Sequence, residues 1–258
     1  MSAIKRSPAA QSNPQLKEAS AETGEGNRAW LKRHGDADGI ILLGSASLEG
    51  FRLRVAQSSL RQDMLPSMWS LCGVLLEGGV FASVPLDIAD VSAVPQCNGV
   101  RRCPLGEYDS PELYPNIAVI RFAKKHPRCH DDIARVQNDR SIIDIPALML
   151  PWLGFVWGAA GAANPLLQGH GIPSAAFVET VFAMSGFELT PGLSSASSCP
   201  EAIWQSAKWW TGYYEDVAQE AASGEPGTEP AEAPAATSVP MVPTGFYTIR
   251  QEAASALS

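Results

Sequence analysis

The chain of 258 residues is 45% hydrophobic and carries 19 basic and 27 acidic residues, for a net charge of −8. Its length and hydrophobic content suffice for one sizeable core, so we expect a single domain with tails. The acidic balance argues against electrostatic binding to nucleic acid or to an anionic membrane surface.

The chain opens with a segment that holds little to bury. Residues 1–27 are rich in Ala, Ser and Glu and have no apolar run of the kind found in a secretory signal, so we expect a disordered or partner-ordered tail. The domain itself is expected over residues 28–220. It begins with a buried strand, the apolar run from Gly39 to Gly44, which is followed by a helix over residues 51–61.

A hairpin and a further strand are predicted next. Two apolar runs, 70–76 and 80–84, flank a turn made of Glu77 and two glycines. Another strand is expected over residues 116–122. From Asp131 onward the pattern becomes helical, and the clearest late helices run over residues 175–185 and 201–221. Strands that come first and helices that come later predict an α+β fold, with a small antiparallel sheet or barrel packed against helices.

Two apolar features of the helical part are expected to belong to the core, although each could instead contact a membrane or a partner. The stretch from Ile142 to Leu167 is interrupted by Asp144 and Pro151, which favours a buried core segment over a membrane span. An aromatic cluster in the last helix is expected mainly to pack that helix, with some rings left for a partner. Its members are Trp204, Trp209, Trp210, Tyr213 and Tyr214.

The last part of the chain, residues 221–258, is a second tail rich in Pro, Ala and Glu. Within it, residues 245–250 carry apolar side chains and are a candidate docking segment, although a frayed terminus is the favoured interpretation. The two tails are the expected attachment points for a protein partner or a larger assembly.

The chain has five cysteines, an odd number in a protein too long to need disulfides, so a reducing compartment and synthesis in the cytoplasm are expected. Export without a signal peptide, or incorporation into a larger particle, stays open. Cys97, Cys103, His126, Cys129 and His130 supply ligand types for zinc, but their spacing matches no known finger or ribbon. Loop residues without a metal are therefore favoured, and no cofactor is expected.

Four sequence strings carry a resemblance to a known family. They are DGIILLGSASLEGFRLRVAQSS, PSMWSLCGVLLEGGVFASVPL, YPNIAVIRF and NPLLQGHGIPSAAFVETVFAMSGFELTPG. Over residues 38–210 their order and spacing resemble the circularly permuted papain-like amidases and peptidases, the NlpC-type or YiiX-like enzymes. In that family an opening Gly-Asp-Ile strand is followed by a strand beginning Ser-His, and the nucleophilic Cys comes late, at the start of a helix.

The resemblance assigns three positions to the catalytic site. Ser174 stands where the nucleophilic Cys is expected, Leu71 stands where the base His is expected, and Ser83 is the only polar residue available as the orienting third member. The opening of the family pattern corresponds to Asp38-Gly39-Ile40. A serine without a base is a poor nucleophile, and leucine neither accepts nor donates a proton. The resemblance therefore implies the scaffold of a thiol hydrolase without its chemistry.

Other interpretations of these residues come from the sequence alone. Serine is a preferred N-cap, and this role is favoured over a nucleophile for Ser174. His170, in a glycine-flanked loop, is a candidate substitute base, although a loop histidine is more often simply exposed. Cys72 is expected to point to the strand face opposite Leu71 and to be a core thiol.

Two functions follow as hypotheses. The first is a papain-like domain that has lost catalysis and acts by binding a peptide, glycopeptide or lipid-like amide, or as a part of an assembly. The second is an active cysteine-type amidase or peptidase of effector or phage-associated kind, which is represented here by an inactivated variant or uses Ser174 with His170.

Overall fold

The computed structural model describes residues 16–35, 39–86, 94, 96–122, 126–159, 161–223 and 243–251, with the side chains of 217–223 excepted. Within these residues the chain forms seven strands and six α-helices. The strands are β1 (Leu16–Glu18), β2 (Ile40–Gly44), β3 (Leu71–Leu76), β4 (Val80–Ser83), β5 (Arg101–Pro104), β6 (Asn116–Phe122) and β7 (Pro243–Ile249). The helices are α1 (Asn27–His34), α2 (Leu48–Ala56), α3 (Cys129–Asn138), α4 (Ile145–Val156), α5 (Pro173–Ala183) and α6 (Pro200–Ser223).

All the described strands form one open sheet in the order β1-β7-β6-β2-β3-β4-β5. Neighbouring strands are antiparallel except β1 and β7, which are parallel. The α+β class is therefore confirmed. The expected small antiparallel sheet or barrel is wrong, because the sheet is mixed and its edge strands β1 and β5 do not pair with each other.

The elements predicted from strong apolar patterns have close counterparts in the structure. The run from Gly39 to Gly44 is β2, the predicted hairpin is β3 and β4, and the strand predicted over residues 116–122 is β6. The two late helices are α5 and α6. The helix predicted over residues 51–61 is α2, which ends at Ala56 and is followed by a short 3-10 turn, Ser58–Leu60.

Two strands come from segments that were expected to be tails. Instead of fraying, β7 pairs with β6 along seven residues, from Asn116 opposite Ile249 to Phe122 opposite Pro243. Strand β1 in turn pairs with β7, with Leu16 opposite Gly245. Residues 1–15, 224–242 and 252–258 of the two predicted tails lie outside the described residues.

The sheet is buried on both faces. One face packs against α3, α5 and α6, where Cys72, Ile133 and Val178 belong to a single apolar cluster. The opposite face packs against α1 and the short 3-10 helix Leu105–Tyr108, and its cluster includes Trp30 and Leu71. A third cluster joins α2 to α4 and to the start of α5. Burial of apolar surface on both faces is the main source of stability for such a layered arrangement.

The long apolar stretch that begins at Ile142 contains α4, which is only 12 residues long. Asp144 is the N-cap of this helix, and its side chain accepts a hydrogen bond from the backbone N–H of Ala147 at 3.2 Å. None of the helices in the described ranges combines the length and the apolar character that crossing a membrane requires.

Candidate functional site

Ser174 lies at the start of α5, in the second helical position. The N-cap is Ile172 and Pro173 is the first helical residue, a position that proline favours because it has no backbone N–H to leave unpaired. The side chain of Ser174 is only 1% exposed. The N-cap interpretation of Ser174 is therefore wrong, and its hydroxyl is free for contacts with the sheet.

The groups at the Ser174 hydroxyl come from β3. The backbone N–H of Cys72 donates a hydrogen bond to Ser174 Oγ at 3.3 Å, and the Cys72 thiol lies 3.8 Å from the same oxygen. Cys72 is completely buried, and burial raises the pKa of its thiol far above the ordinary value, so the sulfur keeps its proton. Both contacts are therefore donors, and neither acts as a base toward Ser174.

Leu71 and Ser83, the other two predicted members of the site, lie on the opposite face of the sheet. Leu71 belongs to the apolar cluster beside α1, whereas Cys72 belongs to the cluster beside α5. Ser83 pairs with Gly73, which shares the face of Leu71, and its hydroxyl donates to the backbone carbonyl of Cys72 at 2.8 Å. The side chain on β3 that faces Ser174 is thus Cys72. Cys72 points into the core on the face opposite Leu71, which confirms the prediction.

His170, the predicted substitute base, lies in the exposed loop between the short 3-10 helix Pro165–Gln168 and α5. Its backbone N–H bonds to the carbonyl of Pro165 at 3.0 Å. The imidazole makes no hydrogen bond to any residue that the structure describes. His170 is therefore not brought to Ser174.

A pocket of about 550 Å³ opens beside Ser174. It lies where β2 ends, β3 begins and β4 ends, so Ser70, Leu71 and Val84 reach its wall together with Ile172 and Ser174. Leu71 and Ser174 contribute to one pocket although their side chains belong to different faces of the sheet, because the pocket is at the end of the strands. Its volume falls in the range of small-ligand sites, about 300–1,000 Å³.

A buried carboxylate lies deeper along the same helix. Glu179 is 4% exposed, and it accepts hydrogen bonds from the hydroxyls of Thr190 at 2.5 Å and Ser198 at 3.0 Å. Burial raises the pKa of Glu179 from 4.5 to about 6, and the two hydroxyl donors oppose the shift without cancelling it. Because this carboxyl is buried and bonded to its neighbours, it holds α5 to the loop before α6.

The raised pKa predicts how stability depends on pH. The folded protein holds the Glu179 proton more tightly than the unfolded chain does, so the stabilisation is complete below pH 4.5 and is lost as the pH rises through about 6. A shift of this size corresponds to about 2 kcal/mol. Between pH 4.5 and pH 7 wild type should therefore lose most of this amount from its free energy of unfolding, measured by urea denaturation, and Glu179→Gln should not. The exposed Glu188→Gln is the control, and an equal effect in both variants would contradict the assignment.

The candidate zinc ligands are spread over the structure. His126, Cys129 and His130 line a second pocket of about 610 Å³, which Cys97 and Cys103 do not line. The ring of His126 is buried, and its Nε2 atom lies 3.0 Å from the carbonyl oxygen of Val181. Among the described residues, which include all five cysteines, there is no disulfide and no group of three side chains suited to a metal.

The aromatic cluster of α6 divides between core and surface. Trp204 is buried and packs edge-on against Trp69, with 5.2 Å between the ring centroids. Trp209 is 60% exposed and stacks on Tyr213, with centroids 5.6 Å apart. Helix packing therefore accounts for Trp204, while Trp209 presents its ring to solvent.

Searches against protein-family models, curated proteins and solved structures find no match to this chain. The resemblance to permuted papain-like amidases therefore rests on the four sequence strings alone, and none of these searches supports it. Asp38, the first residue of the family-like opening, lies outside the described residues.

Proposed function

We propose that this protein is a papain-like domain that has lost hydrolytic chemistry and acts by binding a ligand in the pocket beside Ser174. The ligand classes that the resemblance implies are peptides, glycopeptides and lipid-like amides, held either for recognition or within an assembly.

The observation that carries this proposal is the environment of the Ser174 hydroxyl. A serine becomes a nucleophile when a base within hydrogen-bond reach takes its proton. The Ser174 oxygen instead lies against two donors, the backbone N–H and the protonated thiol of Cys72. The position expected to hold the base, Leu71, is apolar and its side chain belongs to the other face of the sheet.

The pocket supports a binding role. It is concave, it lies at the start of a helix, and it mixes an apolar wall with hydroxyl groups, as small-ligand sites commonly do. Ser70 Oγ accepts the backbone N–H of Ser45 at 2.9 Å, and it donates to the carbonyl of Leu43 at 3.3 Å. The polar part of the wall is therefore fixed before a ligand arrives, which lowers the entropic cost of binding.

The test is a comparison of wild type with Ser174→Ala. Neither protein should hydrolyse chromogenic peptide anilides or acyl esters above the rate of buffer. Because the substitution removes the acceptor of two buried donors, the backbone N–H and the thiol of Cys72, it should lower the free energy of unfolding by about 1–3 kcal/mol. Ligand binding at the pocket, followed by NMR chemical-shift changes of residues around Ser174, should be retained. Turnover by wild type that disappears in Ser174→Ala would overturn the proposal.

A further inference from the structure

The wall of the pocket beside Ser174 is mainly apolar, and it continues onto an exposed rim. Leu53, Val84 and Ile172 line its interior. At the rim, Leu113 is 58% exposed and Trp157 is 59% exposed. Separate apolar side chains along an open rim offer contact points of side-chain size, as peptide-binding surfaces do.

Among the residues that the structure describes, one charged side chain lines this pocket. Glu49 lies in the first turn of α2, is exposed, and forms neither an ion pair nor a side-chain hydrogen bond with any residue in the described ranges. The first turn of a helix is the positive end of the helix dipole, a place that favours an acidic side chain. Glu49 thus places an acidic side chain beside an apolar surface, without an ion-pair partner among the described residues.

The serine hydroxyls of the same rim are already engaged. Ser47 Oγ caps α2 by accepting the backbone N–H of Gly50 at 3.1 Å, and it lies 3.2 Å from Ser45 Oγ. Ser45 Oγ also accepts the backbone N–H of Ser47 at 3.1 Å. These hydroxyls hold the start of α2 in place, whereas the Glu49 side chain has no such bond to the described residues.

We propose that the pocket binds an apolar peptide segment that carries a lysine or arginine side chain, whose cation pairs with Glu49. This inference rests on the proposed binding function of the same pocket and specifies its ligand. The apolar side chains of the peptide lie against the wall and the rim, where Trp157 supplies the largest apolar side chain.

Three matched peptides test the proposal on the full-length protein. They are acetyl-Leu-Leu-Lys-Leu-amide, the same peptide with norleucine in place of lysine, and the same peptide with glutamate there. Norleucine keeps the hydrocarbon stem of lysine and removes its charge. In NMR titrations the lysine peptide should bind roughly two- to five-fold more tightly than the norleucine peptide, the range of an exposed ion pair, and the glutamate peptide should bind most weakly.

Glu49→Gln should abolish the preference for lysine over norleucine while leaving the affinity for the norleucine peptide unchanged. Glu188→Gln, a substitution of an exposed acidic residue away from the pocket, should preserve the preference. Equal affinities of the lysine and norleucine peptides for wild type would overturn the role of Glu49 but leave binding at the pocket intact. If none of the three peptides shifts the resonances of the pocket residues, both this inference and peptide binding by the proposed function are overturned.

Discussion

A chain that ends at residue 242, and so lacks β7, is expected to lose about 5 kcal/mol or more of its free energy of unfolding. Strand β7 pairs with β6 over seven residues and is the described partner of β1. At about 1 kcal/mol for each backbone hydrogen bond, the pairing alone accounts for most of that loss. Such a change is comparable to the whole stability of many domains, so urea unfolding monitored by circular dichroism should show little or no folded baseline.

The residues that follow β7 add to this effect. The guanidinium of Arg250 donates to Asn27 Oδ1 at 2.6 Å and links the end of β7 to the start of α1. Asn116 Oδ1 accepts the backbone N–H groups of Arg250 and Gln251, both at 3.1 Å. A chain that ends at residue 251 keeps all of these contacts and is the matched control. If the chain ending at residue 242 unfolds at the same urea concentration as this control, β7 contributes nothing to stability.

Gly171→Ala is expected to lower the free energy of unfolding by about 3 kcal/mol and to disturb the pocket beside Ser174. A Cβ at this position would lie 2.6 Å from the backbone N of Ser198 and closer still to its carbonyl oxygen. These obstacles are main-chain atoms, so neither can move aside as a flexible side chain would. The same segment is fixed by hydrogen bonds from Gly171 N to Ala196 O at 2.7 Å and from Ile172 N to Ser198 O at 2.8 Å.

Because Gly171 leads directly into Pro173 and Ser174, displacement of this segment should also change the NMR resonances of the pocket. Gly212→Ala, in α6, is the control, since a Cβ there meets no atom within 4 Å. Alanine in a helix interior stabilises by up to about 1 kcal/mol over glycine. Equal denaturation midpoints for Gly171→Ala and wild type would contradict this prediction, because they would show that the backbone around Ser198 moves to accept a Cβ at little cost.

The parts of the fold that were predicted correctly have strong local signals. Strand β2 is an unbroken apolar run, and the hairpin of β3 and β4 is marked by Gly78 and Gly79, both with a φ of +74°. Strand β5, with two arginines and a proline, has no apolar pattern to find. Strand β7 follows a segment of Pro, Ala and Glu, and its place between β1 and β6 depends on partners distant in sequence. Local patterns carry no information on such pairing.

In the candidate site, too, the residue with a local signal was predicted correctly and the residue that depends on long-range packing was not. Ser174 was found because a family-like string and a helix start coincide there, and Pro173 was a usable signal that Ser174 is not the N-cap. The resemblance placed Leu71 opposite Ser174, whereas the structure places Cys72 there. Every residue of β3 is buried. In a half-exposed strand, the alternation of apolar and polar residues shows which side chains face the core; in β3 both faces are apolar. Only the packing of α5 distinguishes Cys72 from Leu71.

The position of β7 also affects how the chain folds as it leaves the ribosome. Every other described strand and helix precedes β7 in the sequence, yet β7 lies between β1 and β6, so the sheet cannot be completed until residue 249 has emerged. Until then β6 is paired with β2 on one side only, and its other side is an open sheet edge of the kind on which nascent chains aggregate or chaperones bind. Paired residues such as Asn116 and Ile249 are far apart in sequence, and pairing over such a distance is slow. The addition of β7 to the sheet therefore comes after the other described strands have been synthesised.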